Sequence, residues 1–225
     1  MRTIGASQAR CPHCETEVTA AAEFCTSCSK ILPVSREESY FEVLGYDREL
    51  LQIDPADLEK RFFQLSKKFH PDRFASKSAF EIQLSHDRSS AVNNAYRTLK
   101  NPVTRAKYMV ERKLGSIEEK SATVPPDMAD FFFEVHDSLD EIRESNGNPP
   151  EHLVREVQQA EKQLADKVRR LEQDLETRFT EYDSVGDVKI LEQIKQILAE
   201  RSYIKSFLRQ VDSVLKGEED SPQRR

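Results

Sequence analysis

A helix-length stretch of apolar and basic residues ends abruptly at His70-Pro71-Asp72. Proline disfavours helix at the preceding residue and fixes its own φ, so the chain must turn here. Before this corner, apolar residues recur at the spacing of one helical face: Leu58, Phe62, Leu65 and Phe69. A second helix, over about residues 79–100, carries the stripe Leu84, Ala91, Ala95 and Leu99. We therefore expect an antiparallel helical pair with the tripeptide exposed at its tip.

Helix start and stop signals surround this pair. Asp54-Pro55 is an N-cap residue followed by proline at the first helical position. Asn101-Pro102 predicts the end of the second helix. Upstream, Ser39 and Glu42 have the spacing of a capping box, although Ser35 and Glu38 offer a competing one. A short helix is therefore expected to begin near residues 36–40.

The composition is that of a helix-rich, soluble protein. The 225 residues include six glycines, 37% are hydrophobic and 33% are charged. The net charge of -6 argues against a general nucleic-acid binder. No apolar run is long enough to span a bilayer. A cytoplasmic location is expected, with the mitochondrial matrix as the alternative.

All four cysteines lie in two C-x2-C knuckles ten residues apart, Cys11–Cys14 and Cys25–Cys28. Two such turns can present four thiolates to one tetrahedral ion, and zinc in a closed, structural site is the expected occupant. An iron site of the rubredoxin kind uses the same ligands. Disulfides are disfavoured in a reducing cytoplasm, and a redox dithiol needs only one knuckle. We predict a zinc-ribbon-like module over residues 1–33.

This module has too little positive charge for phosphate binding. Its three basic residues are balanced by three acidic ones: Arg2, Arg10 and Lys30 against Glu15, Glu17 and Glu23. A zinc-ribbon nucleic-acid module is therefore not the favoured interpretation.

Beyond residue 115 the sequence predicts a helical bundle. Seven apolar residues trace one face of a long helix: Leu153, Val157, Ala160, Leu164, Val168, Leu171 and Leu175. Seven more trace the next helix: Leu191, Ile194, Leu198, Ile204, Leu208, Val211 and Leu215. A Val185-Gly186-Asp187 turn favours an antiparallel hairpin over a dimeric coiled coil, and a helix over 127–145 would complete a three-helix bundle within 124–217. The tail, 218–225, is expected to be disordered.

Phe131, Phe132 and Phe133 are consecutive on the predicted first helix of this bundle. At about 100° per residue, three neighbouring rings cannot all face one core. At least one ring should be exposed or lie in a groove between helices. An acidic run follows them.

Three segments together resemble the J domain of DnaJ-type co-chaperones, and more closely the HscB family of iron–sulfur co-chaperones: YFEVLGY at 40–46, KKFHPDRFAS at 67–76 and NNAYRTLKNPVTRAKY at 93–108. Some members of the family also carry a four-cysteine N-terminus. The resemblance covers about residues 38–217 and is strongest in its first half. It implies an all-α chain with a J domain over 36–115 followed by a three-helix bundle.

The resemblance implies a non-enzymatic partner of a DnaK-type or HscA-type ATPase. The corner and the adjoining basic helix face would dock on that ATPase and accelerate its ATP hydrolysis: His70, Pro71, Asp72, Arg73, Lys60, Arg61, Lys67 and Lys68. Residues 57–78 hold six basic residues and three acidic ones, a local excess that would steer a negative partner surface. His70 and Asp72 are not expected to be a catalytic pair, because no nucleophile or oxyanion-site signature accompanies them.

The resemblance also implies that the bundle binds an iron–sulfur scaffold protein of the IscU type. The residues matched to that role are Met128, Phe133, Glu134, Asp137, Glu141 and Tyr203. The chain departs from the family in having Ala129 and Asp130 where larger apolar residues are usual. The alternative for the phenylalanines is that they pin the bundle to the J domain. The alternative function is a J-domain co-chaperone for another client or for general folding. A monomer or weak dimer, without nucleic acid or membrane partners, is expected.

Overall fold

The structure is a computed structural model that describes residues 8–19, 21–115, 124–145 and 147–217. The chain divides between Met109 and Val110 into two compact units. The described residues confirm the predicted fold class, a helical protein with one small sheet. The tail predicted to be disordered, 218–225, lies outside the described residues.

The first unit opens with a hairpin of two short strands, β1 (Gln8–Arg10) and β2 (Glu17–Thr19), which pair antiparallel. A short helix, α1 (Tyr40–Val43), precedes the two long helices α2 (Pro55–Lys68) and α3 (Ala79–Lys100). A single 3₁₀ turn, Pro71–Phe74, joins α2 to α3. Helix α4 (Pro102–Leu114) begins in this unit.

Local sequence signals set where these helices begin. Asp54 caps α2 by accepting a hydrogen bond from the backbone N–H of Ala56, and Pro55 takes the first helical position. The capping box of Ser39 and Glu42 forms at the start of α1, as predicted. The competing pair is also engaged, because the Glu38 carboxylate accepts a hydrogen bond from the Ser35 N–H at 3.3 Å.

Helices α2 and α3 pack through the predicted stripes. Leu58, Phe69, Leu84, Ala95 and Leu99 are all buried. Phe62 is half-buried and stacks on Tyr96, with ring centroids 4.0 Å apart. One position of the predicted α3 stripe differs: Val92 is buried, whereas its neighbour Ala91 is half-buried.

The second unit contains α5 (Ala129–Glu144), α6 (Glu151–Val185) and α7 (Val188–Leu215). All seven residues predicted on the face of α6 are buried. On α7, Leu208 and Leu215 are half-buried and Phe207, which the pattern did not include, is buried. The predicted hairpin is confirmed: Gly186 ends α6 with φ 71°, and Asp187 caps α7 through the Lys189 N–H. Among the described helices, none has an apolar stretch of the length that crossing a bilayer demands.

Candidate functional site: the corner, the four cysteines and the face of α5

The His70-Pro71-Asp72 corner is exposed and locally fixed. His70 has the extended backbone of an N-cap, and its Nδ1 accepts a hydrogen bond from the Asp72 N–H at 3.3 Å. The Asp72 carboxylate lies 3.5 Å from the same nitrogen, and the two side chains are 57% and 89% exposed. In the neutral imidazole, an accepting Nδ1 leaves the proton on Nε2. The corner therefore offers one ring N–H donor and one carboxylate to solvent.

The base of the corner is anchored to α3. The Ser85 hydroxyl donates a buried hydrogen bond to the carbonyl oxygen of Phe69, at 3.0 Å. The Phe69 ring is buried and directly precedes His70. On the far side of the corner, Phe74 is buried as well. The exposed tripeptide is thus held between two buried rings.

The basic residues predicted on α2 fall into two groups. Lys60 and Lys67 are exposed, as is Arg73 just past the corner. Arg61 is held within the domain, because its Nε lies 2.7 Å from the Asp57 carboxylate and its guanidinium covers the Tyr46 ring at 4.3 Å. The hydrogen bond from Arg61 also lowers the pKa of Asp57.

Lys68, predicted with the same basic set, pairs with Glu23 of the four-cysteine module. Its Nζ also lies over the rings of Phe24 and Phe69, at 5.4 and 5.7 Å. The structure therefore engages Lys68 inside the first unit.

The sequence interpretation missed one residue on this surface. Phe63 is 61% exposed on α2, three residues after Lys60 and four before Lys67. Residues at these spacings share a helix face. The sequence carries a signal for its exposure, since Phe63 falls outside the apolar stripe of α2 that begins at Leu58. We define the corner surface as the half-buried Pro71 together with six exposed residues: Lys60, Phe63, Lys67, His70, Asp72 and Arg73.

The structure brings the four cysteines together. Their Sγ atoms all lie within 4.8 Å of one another, and Cys11–Cys28 and Cys14–Cys25 are 3.7 and 3.6 Å apart. With metal–sulfur bonds of about 2.3 Å, the edge of a tetrahedral four-thiolate site is about 3.8 Å. The arrangement is therefore compatible with a metal site.

The two knuckles have the same backbone geometry. In each, the N–H of the first cysteine donates to the carbonyl oxygen five residues later, and its carbonyl accepts from the N–H four residues later, all at 2.9 Å. The residues at that fourth position, Glu15 and Ser29, both have positive φ. This repeat aims two pairs of thiols at one point.

The chemistry of the donor set also fits a cation. A hydrogen bond with the Thr16 hydroxyl lowers the pKa of Cys14 to about 6. For Cys28, a backbone hydrogen bond with Lys30 lowers the pKa, but burial and the neighbouring thiols outweigh it and raise the value to about 12. Four thiolates this close repel one another, so a bound cation is what allows all four to ionise.

The three phenylalanines of α5 have three different environments. Phe132 is 4% exposed and makes edge-to-face contacts with Tyr203 and Phe207, at 4.9 Å between centroids. Phe131 is half-buried, and Phe133 is 70% exposed. The prediction that at least one ring is exposed is therefore met by Phe133.

The predicted acidic residues share the exposed side of α5 with Phe133. Asp137 and Glu141 follow at intervals of four residues, and Glu134 is adjacent; all three are exposed. We call these four residues the α5 surface. Met128 and Tyr203, predicted with them, are half-buried and pack against the core of the bundle. Burial raises the pKa of the Tyr203 hydroxyl.

Comparison with known proteins places this geometry in a family. The DnaJ domain profile matches residues 39–108, which include the corner. An iron–sulfur cluster co-chaperone HscB homologue of Arabidopsis thaliana is 30% identical over 160 residues, 71% of this chain and 62% of that protein. The co-chaperone HscB homologue of Aliivibrio salmonicida is 29% identical over 163 residues, 70% of this chain and 93% of that protein.

Solved structures support the fold. The crystal structure of human co-chaperone HscB covers 91% of this chain and 97% of its own, with a TM-score of 0.67 and 21% identity. Chaperone HscB from Vibrio cholerae covers 80% of this chain and 98% of its own, with a TM-score of 0.54 and 20% identity. With the J-domain match, the exposed tripeptide and the helical bundle taken together, the chain belongs to the HscB family of J-domain co-chaperones.

Proposed function

We propose that this protein is a co-chaperone of iron–sulfur cluster assembly, which stimulates the ATPase of a DnaK-type or HscA-type chaperone and delivers an iron–sulfur scaffold protein to it. The observation that carries the proposal is the exposed, locally fixed His70-Pro71-Asp72 corner beside exposed basic residues. The name of the Arabidopsis relative supports the process, iron–sulfur cluster assembly. The domain boundaries proposed are 1–33, 36–115 and 124–217.

The corner surface is the proposed chaperone-binding site. Its ring N–H and carboxylate can hydrogen-bond a partner, while Lys60, Lys67 and Arg73 attract an acidic surface and raise the association rate. Stimulation requires only that the co-chaperone bind one conformation of the ATPase more tightly than another. In this proposal the protein acts as a binding partner and does not itself react with ATP.

The α5 surface is the proposed scaffold-binding site. An exposed aromatic ring next to carboxylates supplies an apolar anchor with a charged rim, which is a common composition of small interfaces. Met128 and Tyr203, which are half-buried against the core of the bundle, are proposed to support the contact from its edge. A monomer or weak dimer acting in the cytoplasm is proposed.

The four-cysteine module is proposed to hold zinc as a structural ion. Cys11, Cys14, Cys25 and Cys28 would supply all four ligands, which leaves no open position for a substrate. Iron in the same thiolate set is the alternative ion.

A steady-state ATPase assay tests the proposal at the corner. The purified protein should accelerate ATP hydrolysis by a DnaK-type chaperone, and His70→Gln should abolish the acceleration. Helicity and melting temperature should stay unchanged, because an exposed side chain outside any packed contact contributes little to stability. His86→Gln is the matched control, since His86 is an exposed histidine on α3.

Two results would count against the proposal. Full stimulation by folded His70→Gln protein would remove the corner from the mechanism. If the unsubstituted protein stimulates the ATPase but a pull-down recovers many unfolded proteins and no scaffold, a co-chaperone with a different client would be favoured.

A further inference from the structure

Arg88 of α3 is a buried arginine that belongs neither to the corner surface nor to the predicted metal ligands. It is 4% exposed. Its guanidinium donates to three backbone carbonyl oxygens of the cysteine module: Leu32 at 2.7 Å, Ala22 at 2.8 Å and Pro33 at 3.0 Å. A buried charge is tolerated only when its donors are satisfied, so these three acceptors are a built site for one guanidinium.

The same guanidinium touches the base of the corner. Its central carbon lies 5.3 Å from the centre of the Phe69 ring. Phe69 is the residue before His70, and its carbonyl is held by Ser85, one turn before Arg88 on α3. One face of α3 therefore contacts both the cysteine module and the base of the corner.

A second contact joins the two parts directly. The ring of Phe24 stacks on Phe69, with centroids 5.8 Å apart and planes inclined by 16°. Phe24 directly precedes the predicted ligand Cys25, as Phe69 directly precedes His70. The Glu23–Lys68 ion pair lies one residue further back on each side. A metal ligand and the corner histidine are thus separated by a single pair of stacked rings.

We propose that the four-cysteine module is a brace for the corner, with Arg88 as the positioning residue that couples them, so that metal release loosens the corner and weakens chaperone binding. The inference rests on the proposed function, because it concerns the same corner. Without metal, the second knuckle loses what holds Cys25, and Phe24 and the carbonyls of Ala22 and Leu32 lose their fixed positions. The corner then has to be ordered by the chaperone itself on binding.

The coupling predicts a specific kinetic signature. If a partner binds only the ordered corner, its apparent dissociation constant is the intrinsic one divided by the fraction of molecules in which the corner is ordered. If that fraction falls to about one fifth, the half-maximal concentration for ATPase stimulation rises about five-fold. The maximal stimulation stays the same, since the bound complex is unchanged.

Arg88→Met tests the brace, because it removes the three hydrogen bonds and keeps an apolar side chain of similar length. We expect unchanged metal content, faster amide exchange over residues 69–75, and the rise in half-maximal concentration without loss of the maximum. Arg97→Met is the matched control, since Arg97 is exposed on the same helix. Phe24→Ala serves as the second variant and should give the same signature while leaving Arg88 in place.

Metal removal provides an arm that is independent of any ATPase. Chelation should accelerate exchange over residues 69–75 in the unsubstituted protein, and should add little to the acceleration already present in Arg88→Met, because coupled changes are not additive. The inference is overturned if residues 21–33 become exchange-labile while the corner stays protected. Absence of ATPase stimulation by the unsubstituted protein would instead reject the proposed function, and the exchange data would still decide the brace.

Discussion

At the scale of single residues, neighbours in the sequence can have unrelated roles. Phe132 and Phe133 differ by one position, yet one ring is packed in the bundle and the other is exposed. The sequence predicts this division but not which ring is exposed. The choice depends on how α5 is rotated against α7, where Tyr203 and Phe207 receive Phe132. These partners lie more than 70 residues away, and no local pattern reports them.

The exposed ring yields a test of scaffold binding. Phe133→Ala should weaken the scaffold complex by roughly 2 kcal/mol or more, in the range of interface hot spots. The melting temperature should hardly change, because the ring is largely outside the core. Calorimetric titration of the scaffold and thermal melting of the same sample measure the two effects.

Phe132→Ala is the matched control for that variant. Removing a buried phenylalanine leaves a cavity and costs about 3 to 5 kcal/mol of folding free energy. If Phe133→Ala behaves in this way instead, with scaffold affinity retained, the α5 surface is not the scaffold site.

The acidic residues beside Phe133 make a separate prediction. Glu134→Ala combined with Asp137→Ala should slow scaffold association and flatten its dependence on salt, because exposed rim charges act chiefly on the encounter. Stopped-flow association rates at several ionic strengths measure this. A dissociation rate that changes while the association rate stays constant would contradict the assignment.

At the scale of helices and turns, most features were predictable because their signals are local. Caps, prolines and apolar spacing set the ends and faces of α2 and α3, and the residues that carry them lie within a few positions of the feature. The division among basic residues was not predictable. Lys68 has the same sequence context as Lys67, but it pairs with Glu23, 45 residues away.

The start of α3 gives a prediction about pH. A hydrogen bond from the Ser78 hydroxyl at 2.8 Å lowers the pKa of Glu81, and Lys30 and His13 lower it further. A depressed pKa in the folded state means that the carboxylate stabilises the fold above its usual pKa of 4.5 and loses this effect as pH falls through the lower folded value. Glu81→Gln should therefore lower the melting temperature at pH 7, and the difference should shrink below the usual pKa.

Ser78→Ala removes both the N-cap side chain and the hydroxyl that bonds the Glu81 carboxylate, whereas Glu81→Gln removes the charge and keeps the Ser78 cap. Loss of the N-cap side chain should cost about 1 kcal/mol at neutral pH. Melting curves from pH 7 down to acid conditions test both variants. If the difference in melting temperature between Glu81→Gln and the unsubstituted protein is the same at every pH, the charge of Glu81 does not contribute to this cap.

At the scale of the whole molecule, the sequence predicts the cysteine cluster itself better than its contacts with α3. The four cysteines were predictable as a cluster because each pair comes from one short turn. The packing of the module against α3 was not predictable. Arg88 binds backbone carbonyls there, and any residue can supply a carbonyl. Side-chain patterns cannot report such an acceptor.

The cysteine cluster predicts a defined metal content. Protein purified under reducing conditions without chelator should carry one metal ion per chain, with all four thiols protected from alkylation until a chelator or denaturant is added. Elemental analysis and thiol counting measure this. Four reactive thiols on metal-free, never-chelated protein would reject the site.

The position of Arg88 along the chain also sets an order for biogenesis. The backbone hydrogen bonds that close the turn around each pair of cysteines join residues within 11–30, so both turns can form once residue 30 has left the ribosome. Arg88 follows almost 60 residues later, which takes roughly 3 to 12 seconds at ordinary rates of synthesis. The nascent cysteines therefore have seconds in which to capture an ion from the cellular pool before the helix that receives them exists. If the module holds zinc as proposed, the ion can therefore be bound before α3 is synthesised.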